Sequence, residues 1–241
     1  LTLSHFYVIV KEVKNSPSKL KNGGIMVIKA KLKSTEYYQT SNKSSPSSGD
    51  FFVPQIVLTG PPASGKTTAL EYLKKTRSDL NIIEEAATQV LRGGFPLPSE
   101  ENPWTQTWQN GLQRAIAGYQ LGLEQIIRER TKKGIIQDRG LLDGANYLKG
   151  GVNELEQITG LARKNMLKRY QTVIYLGWLG SEQYSNESND MRFEDELTAR
   201  KLAETALAPW SNHPHIIEIN SRQNRAIEVA EIINSLLPIT P

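Results

Sequence analysis

A chain of 241 residues with no cysteine and three His, carrying 29 Lys plus Arg against 25 Asp plus Glu, has a formal charge of +4 and a pI near 9.1. That length falls just short of the roughly 250–300 residues at which one hydrophobic core stops growing, so a single α/β domain with appendages is expected. The missing cysteines exclude disulfides, thiolate zinc sites and cysteine nucleophiles, three His leave little for a His-rich metal centre, and a cytoplasmic setting fits.

Residues 1–40 read as a basic N-terminal extension, in which FYVIVKEV and GIMVIKAKLK could pair as a hairpin. The stretch LTLSHFYVIV ends at Lys11 and lacks both a basic lead-in and a small-residue cleavage site, so it does not read as a secretory signal. Because the first Met is Met26, a native start there, or a non-Met start codon, is one expectation. Residues 41–54 are Ser-rich and read as a linker. Eight Lys face three acids over residues 1–50, which leaves the rest of the chain at −1. The basic pI therefore belongs to the leader and gives no reason to expect a nucleic-acid surface on the folded body. All eight leader cations are Lys, which weakens a transit-peptide reading.

Residues 55–241 alternate short apolar runs with helical stretches. The first strand, Gln55–Thr59, leads into Gly60-Pro61-Pro62-Ala63-Ser64-Gly65-Lys66-Thr67-Thr68, a full match to G-x-x-x-x-G-K-[ST]. A chance match in a chain this long occurs on the order of one time in a hundred, and here the motif also has the strand before it and the helix Gly65–Lys75 after it. Glycines let successive N–H groups turn onto a phosphate, Lys66 reaches the β/γ-phosphate oxygens, and the Thr67 hydroxyl can ligate Mg²⁺.

A second strand, Asn81–Glu85, ends on Glu84 and Glu85. A carboxylate there can accept a proton from an acceptor hydroxyl, although a solvated Glu at a helix start is the plainer alternative. Strand alternation aims only one of the two inward. The long helix Trp104–Arg130 spaces Trp104, Trp108, Leu112, Ile116, Tyr119, Leu123, Ile126 and Ile127 as an apolar stripe, which predicts the buried face. Trp104 and Trp108 are expected in the core or in a pocket wall.

The third strand, Gly134–Asp138, closes on Asp138-Arg139, a Walker B arrangement whose carboxylate holds Mg²⁺ directly or through water. Arg139 stands where motor ATPases place a water-polarising Glu. That favours phosphoryl transfer to a bound acceptor over hydrolysis, with an ordinary ion pair at a strand end as the alternative. A helix over Gly151–Tyr170 precedes the fourth strand, Thr172–Gly177, inside the longest apolar run, Val173–Leu179. That run is far shorter than the roughly 18 residues needed to cross a bilayer, and its Trp178 is expected in the core. The polar segment after Gly180 reads as a lid with Arg192 as its cation. Helix Thr198–Trp210, strand His215–Asn220 and helix Arg222–Leu237 complete the series. Strands alternating with helices predict a parallel sheet covered on both faces, with ligands at the carboxyl edge.

Together these residues resemble the NadR/Ttd14-type AAA family, P-loop kinase-like ATPase domains that include bacterial nicotinamide riboside kinase domains. The resemblance spans about Gln55–Leu237 and rests on GPPASGKTT, IIEEAAT, the aromatic helix, IIQDRGLLDGANYL and NDMRFED. It implies a three-layer P-loop NTPase fold with strand order 2-3-1-4-5, as in nucleoside and nucleotide kinases. It also selects Glu85 over Glu84 as the acid near the acceptor, and adds Asp138, Arg139, Asp143 and Arg192 to the site. Thr88 stands where the family usually has Arg, so no contact of that Arg is carried over.

Three functions are weighed. The first is a Mg²⁺-dependent kinase that transfers phosphate from ATP, or GTP, to a small hydroxylated, nucleoside-like metabolite. The second is a nucleotide-responsive regulatory module with little turnover; D-x-x-G and N-K-x-D motifs of signalling GTPases are absent from the expected positions. The third, nucleic-acid binding, lacks any recognisable module.

Overall fold

The computed structural model describes residues 53–180 and 196–239, without the side chains of 196–199. The expected leader hairpin, most of the Ser-rich linker and the lid segment with Arg192 lie outside the described residues.

Five strands, β1 (Gln55–Thr59), β2 (Asn81–Ile83), β3 (Ile135–Asp138), β4 (Thr172–Leu176) and β5 (Ile216–Ile219), form one parallel sheet in the order β2-β3-β1-β4-β5. Every residue of β1 and β4 is buried, which is why both read as unbroken apolar runs. Their alternation divides the core. Ile56 and Leu58 pack with Leu70 and Leu73 of α1 (Lys66–Thr76) and with Val229 and Ile233 of α7 (Arg225–Leu236). Val57 and Val173 pack on the other face against Leu142, Leu155, Met166 and Trp210. Each fully buried aliphatic side chain stabilises the fold by about 1.5–3 kcal/mol, so both layers are held mainly by area removed from water.

The remaining helices cover the site edge and the second face: α2 (Ala86–Arg92), α3 (Gln106–Arg130), a 3₁₀ helix (Leu141–Tyr147), α4 (Gly151–Thr159), α5 (Arg163–Leu167), α6 (Glu196–Thr205) and a 3₁₀ turn (Ala208–Trp210). Among the described residues, no helix is long and apolar enough to cross a membrane.

Several sequence expectations are corrected in detail. Helix α3 starts at Gln106 rather than Trp104, because the Thr105 hydroxyl accepts the Trp108 N–H at 3.0 Å and holds Thr105 in an extended N-cap conformation. The helix expected over Gly151–Tyr170 is two helices, separated where Gly160 takes the left-handed conformation (φ 68°) that ends α4. Strand β2 stops at Ile83, its last residue paired with β3, and Glu85 instead leads into α2, a short helix the periodicity did not reveal. The helix expected over Thr198–Trp210 gives way to the 3₁₀ turn after Thr205. Trp178 lies beyond the end of β4 and is half-buried rather than in the core.

The largest correction concerns the face of α3. Its buried residues are Gln109, Leu112, Gln113, Ala117, Gln120 and Glu124, whereas Tyr119 and Ile126 of the apolar stripe are 43% and 40% exposed. Residues 109, 113, 117, 120 and 124 step by three or four and so share one face, which meets a cavity and a polar hub as well as the apolar core at Ala117, while Leu112 of the stripe is buried and Leu123 and Ile127 pack against a smaller apolar cluster.

Candidate active site

At the end of β1 the backbone turns sharply. Gly60 has φ 142°, Ala63 57° and Gly65 90°, so the loop curls into a nest of inward N–H groups. A Cβ at Gly60 would lie 2.2 Å from the Leu176 carbonyl oxygen, and only glycine fits where β1 passes β4. No side chain caps α1 and its first turn holds no acid, which leaves the free N–H groups and positive end of the helix for an anion.

Lys66 folds back over the loop. Its Nζ donates to Gly60 O at 3.0 Å, Pro61 O at 2.8 Å and Ser64 Oγ at 3.2 Å. Burial, reinforced by the nearby Arg139 charge, lowers its pKa to about 8. Thr67 is exposed at the start of α1. From behind, Arg225 of α7 grips the loop, donating from Nη1 to Ser64 O at 2.6 Å and Gly177 O at 2.7 Å. Sequence reasoning missed this residue, because only the crossing of α7 behind the loop gives it a role.

Asp138 pairs in register with Leu58 of β1, so it ends beside the loop. Its Oδ1 is buried without a hydrogen-bond partner among the described residues. Burial first, and the Glu85 charge second, raise its pKa to about 6. A buried carboxylate oxygen with no protein donor suits a cation, so Asp138, with the Thr67 hydroxyl, fits the Mg²⁺ that such folds use.

Arg139 follows in the left-handed region (φ 64°), a strained conformation for a long side chain. Its carbonyl accepts from Gln137 Nε2 at 2.8 Å and Gln120 Nε2 at 3.2 Å, and both amides also donate to Glu124. Glu124 is fully buried and also takes Arg169 and the Tyr170 hydroxyl. This buried hub holds the turn that aims Arg139 at Glu85, Nε to Oε1 at 2.6 Å. The other oxygen of Glu85 accepts from Thr88 Oγ1 at 2.7 Å. Burial alone would raise the Glu85 carboxyl; the Arg139 charge, both hydrogen bonds and Lys66 outweigh it and hold the pKa at about 2. Glu84 turns away to solvent, bonded to Lys74 and Gln89. Thr88, where the resembled family usually has Arg, is thus a partner of Glu85.

Asp143 is buried at the same edge, but its oxygens serve the scaffold. They accept from Thr59 Oγ1, from Trp210 Nε1 at 3.3 Å and from Gly140 N at 2.7 Å, tying the end of β1 to the 3₁₀ helix. Burial raises its pKa against the pull of Arg139 and these donors.

Beside the loop opens a cavity of about 640 Å³, lined by Pro62, Glu85 and Arg139 together with Trp104, Trp108, Leu112 and Tyr147. Trp104, expected in the core or a pocket wall, is 55% exposed and donates to Gln109 Oε1 at 3.3 Å. Trp108 packs edge-on against Phe95 and donates to Pro96 O at 2.7 Å, anchoring the α2–α3 loop over the opening. Lys66, Glu85, Asp138 and Arg139 converge on this edge, while Arg192 lies outside the described residues.

Known proteins fit this geometry. Thymidylate kinase from Candida albicans is similar over 76% of this chain and 92% of its own, with 17% identity and a TM-score of 0.50. NadR protein in complex with NR aligns over 78% of this chain at 14% identity and a TM-score of 0.55, and the matched region spans about half (53%) of that chain. Shikimate kinase from Acinetobacter baumannii in complex with shikimate aligns over 77% and 93% of the two chains, with 18% identity and a TM-score of 0.47. No curated protein sequence matches. At these identities the likenesses to thymidylate kinase and to NadR speak for the fold alone, a P-loop kinase-like architecture. The AAA domain family AAA_28 matches residues 55–225, from the first strand to the arginine behind the phosphate loop, and the chain belongs to that family.

Proposed function

We propose that the protein is a Mg²⁺-dependent phosphotransferase that moves the γ-phosphoryl group of ATP to a hydroxyl of a small, nucleoside-like metabolite in a cytoplasmic compartment. The observation that carries this reading is the 640 Å³ cavity opening beside the phosphate loop. A nucleotide hydrolase needs room only for a water beside the nucleotide; a chamber of this size next to the phosphate loop suits a second substrate. The neighbours named for kinases of thymidylate and shikimate, and the NadR protein bound to NR, support the same reading.

The loop N–H groups and Lys66 hold the phosphates, and Arg139 offsets charge on the migrating group. Mg²⁺, held by Thr67 and Asp138, supplies charge neutralisation at the phosphate oxygens when bound. Glu85, ionised and fixed by Arg139 and Thr88, orients the acceptor hydroxyl through a hydrogen bond. ATP is the donor assigned, with GTP as the alternative.

One observation favours a second reading, a nucleotide-responsive module with little turnover. Both Glu85 oxygens are engaged and its pKa is about 2, which makes it a feeble proton acceptor at neutral pH. ADP release with a panel of nucleosides and other hydroxylated metabolites separates the two. Acceptor-stimulated turnover that disappears in Lys66→Ala supports the kinase; tight ATP binding with no stimulation by any acceptor supports the module.

A further inference from the structure

The Arg139 turn is held on both flanks by groups that meet at one oxygen atom. Glu124 Oε1 accepts from Gln120 Nε2 at 3.1 Å, from Gln137 Nε2 at 3.2 Å and from the Tyr170 hydroxyl at 3.1 Å. Each of the three also grasps the turn. The two amide nitrogens donate to Arg139 O at 3.2 and 2.8 Å, and the Tyr170 oxygen accepts from Leu141 N at 2.9 Å. Glu124 Oε2 is given over to Arg169, whose Nε and Nη2 lie at 2.8 and 2.6 Å.

The chemistry of Oε1 sets the direction of the amides. A carboxamide carries a donor and an acceptor and fits the same space turned end for end, whereas a carboxylate only accepts. Facing Oε1, Gln120 and Gln137 must both offer nitrogen, and each nitrogen keeps a second N–H for Arg139 O. Gln137 Oε1 then takes Gln55 Nε2, and Gln55 Oε1 takes Arg128 Nη1 at 3.3 Å, so the same polarity runs out to the last turn of α3. Arg139 sits at φ 64°, which a long side chain keeps only where its surroundings impose it. From that turn its Nε reaches Glu85 Oε1 at 2.6 Å.

We infer that Glu124 is the positioning residue of the Arg139–Glu85 pair: its fully buried carboxylate, bonded to neither partner, aligns two amides and a phenol that fix the backbone on both sides of Arg139. Glu124→Gln keeps the shape and loses the alignment. The charge-assisted bonds of Arg169 are the stronger, so they claim the new amide oxygen and leave its NH₂ against three donors. Gln120 and Gln137 then turn over, and an oxygen faces Arg139 O. The inference deepens the proposed role of Arg139 at the phosphates and rests on that reading only for its effect on turnover.

The test is the Arg139 Nε–H signal of the full chain, followed by NMR at neutral pH. In the wild type its exchange with water should be slower than that of the exposed Arg130 by about tenfold or more. In Glu124→Gln, and in the double variant Gln120→Met with Gln137→Met, it should come within about twofold of Arg130. The double variant leaves Glu124 on Arg169 and covers a Glu124→Gln chain that does not fold. The Glu85 carboxyl supplies a sign: loss of the Glu124 charge acting through space lowers its pKa further from about 2, whereas release of Arg139 raises it toward 4.5. Ile233→Val, in the core layer on the opposite face of the sheet, weakens packing away from the turn and should leave both readouts unchanged. No protection in the wild type, protection kept in either hub variant that folds or lost in Ile233→Val, or a Glu85 pKa that stays near 2 or falls in Glu124→Gln would overturn the inference. With an acceptor that the wild type turns over, kcat should drop about tenfold or more in the hub variants at unchanged ATP affinity. Turnover kept while protection is lost would defeat the role of Arg139 at the phosphates, and turnover of no acceptor by the wild type would defeat the kinase reading; in both cases the NMR result still decides the role of Glu124.

Discussion

The phosphate loop and the cavity beside it are built on opposite principles. At the phosphate loop a run of nine consecutive residues, Gly60–Thr68, supplies most of the groups, and the charges around it are held by fixed partners, Lys66 on carbonyls, Glu85 on Arg139 and Asp143 on three donors, with Asp138 Oδ1 the exception among the described residues. The cavity draws its lining from α2, α3 and the 3₁₀ helix, far apart in sequence, and apart from Glu85, Arg139 and Asp143 its polar side chains are neutral. A phosphate site handles a group common to all nucleotides, so it can be a local motif. On the proposed reading the cavity takes one acceptor, and its residues then answer to shape and hydrogen bonding.

If that division holds, variants at the phosphate loop should damage nucleotide use and leave the cavity alone. The largest effect is expected from Lys66→Ala, which removes a buried cation aimed at the loop; acceptor-dependent turnover should fall by about 10²–10³. Retention of more than a tenth of wild-type turnover would place the phosphate-stabilising charge elsewhere.

Asp138→Asn should split activity from stability. The native pKa of about 6 lies above the ordinary 3.8, so the folded state holds a proton that the unfolded chain releases first. Stability is therefore lost as pH rises from about 4 to 6, and the Asn variant should lack that decline. At pH 7 its Tm should exceed the wild type by a few degrees, read by calorimetry, while Mg²⁺-dependent turnover drops. A lower Tm at pH 7 would contradict the assignment of Asp138 as an unpaired, function-bearing carboxylate.

Glu85→Gln should have the opposite sign. With a native pKa near 2 against an ordinary 4.5, Glu85 stabilises the fold above about pH 4.5, and that contribution fades as pH falls toward 2. The variant should lose about 1–2 kcal/mol at pH 7 and little at pH 2.5, measured by urea unfolding. The smallest effect is expected from Thr88→Ala, under about 1 kcal/mol, with the Glu85 carboxyl shifting upward in an NMR titration. No shift would mean that Arg139 alone sets the carboxylate.

How much of this was legible in the sequence follows the same division. Period-two and 3.6-residue patterns located the five strands and most helices, because burial on both sheet faces forces continuous apolar runs. The phosphate loop was readable because its chemistry is contiguous, and Asp138 because it ends an apolar strand. The long helix was located, and Leu112, Leu123 and Ile127 of its stripe are buried or packed on apolar clusters, but Tyr119 and Ile126 are exposed and the polar half of the buried face was missed. Hydrophobicity marks a face only where the partner is apolar; Gln113 and Glu124 are buried against a cavity and a hydrogen-bond hub, and nothing in local spacing announces either. Helix α2 was too short to show a period, and Gly160 ended α4 with a left-handed turn that a helical pattern does not encode.

The sequence by itself determined the sheet, its carboxyl edge and the nucleotide-binding loop, since each depends on neighbours within one strand, one turn or one helix. Only the tertiary structure decided that Glu85 faces Arg139 while Glu84 faces water, that Arg225 braces the loop, and that Gln113 is buried over Gly144. Those relations depend on how α2, α3 and α7 cross the sheet, and crossing geometry is set by packing among side chains tens of residues apart.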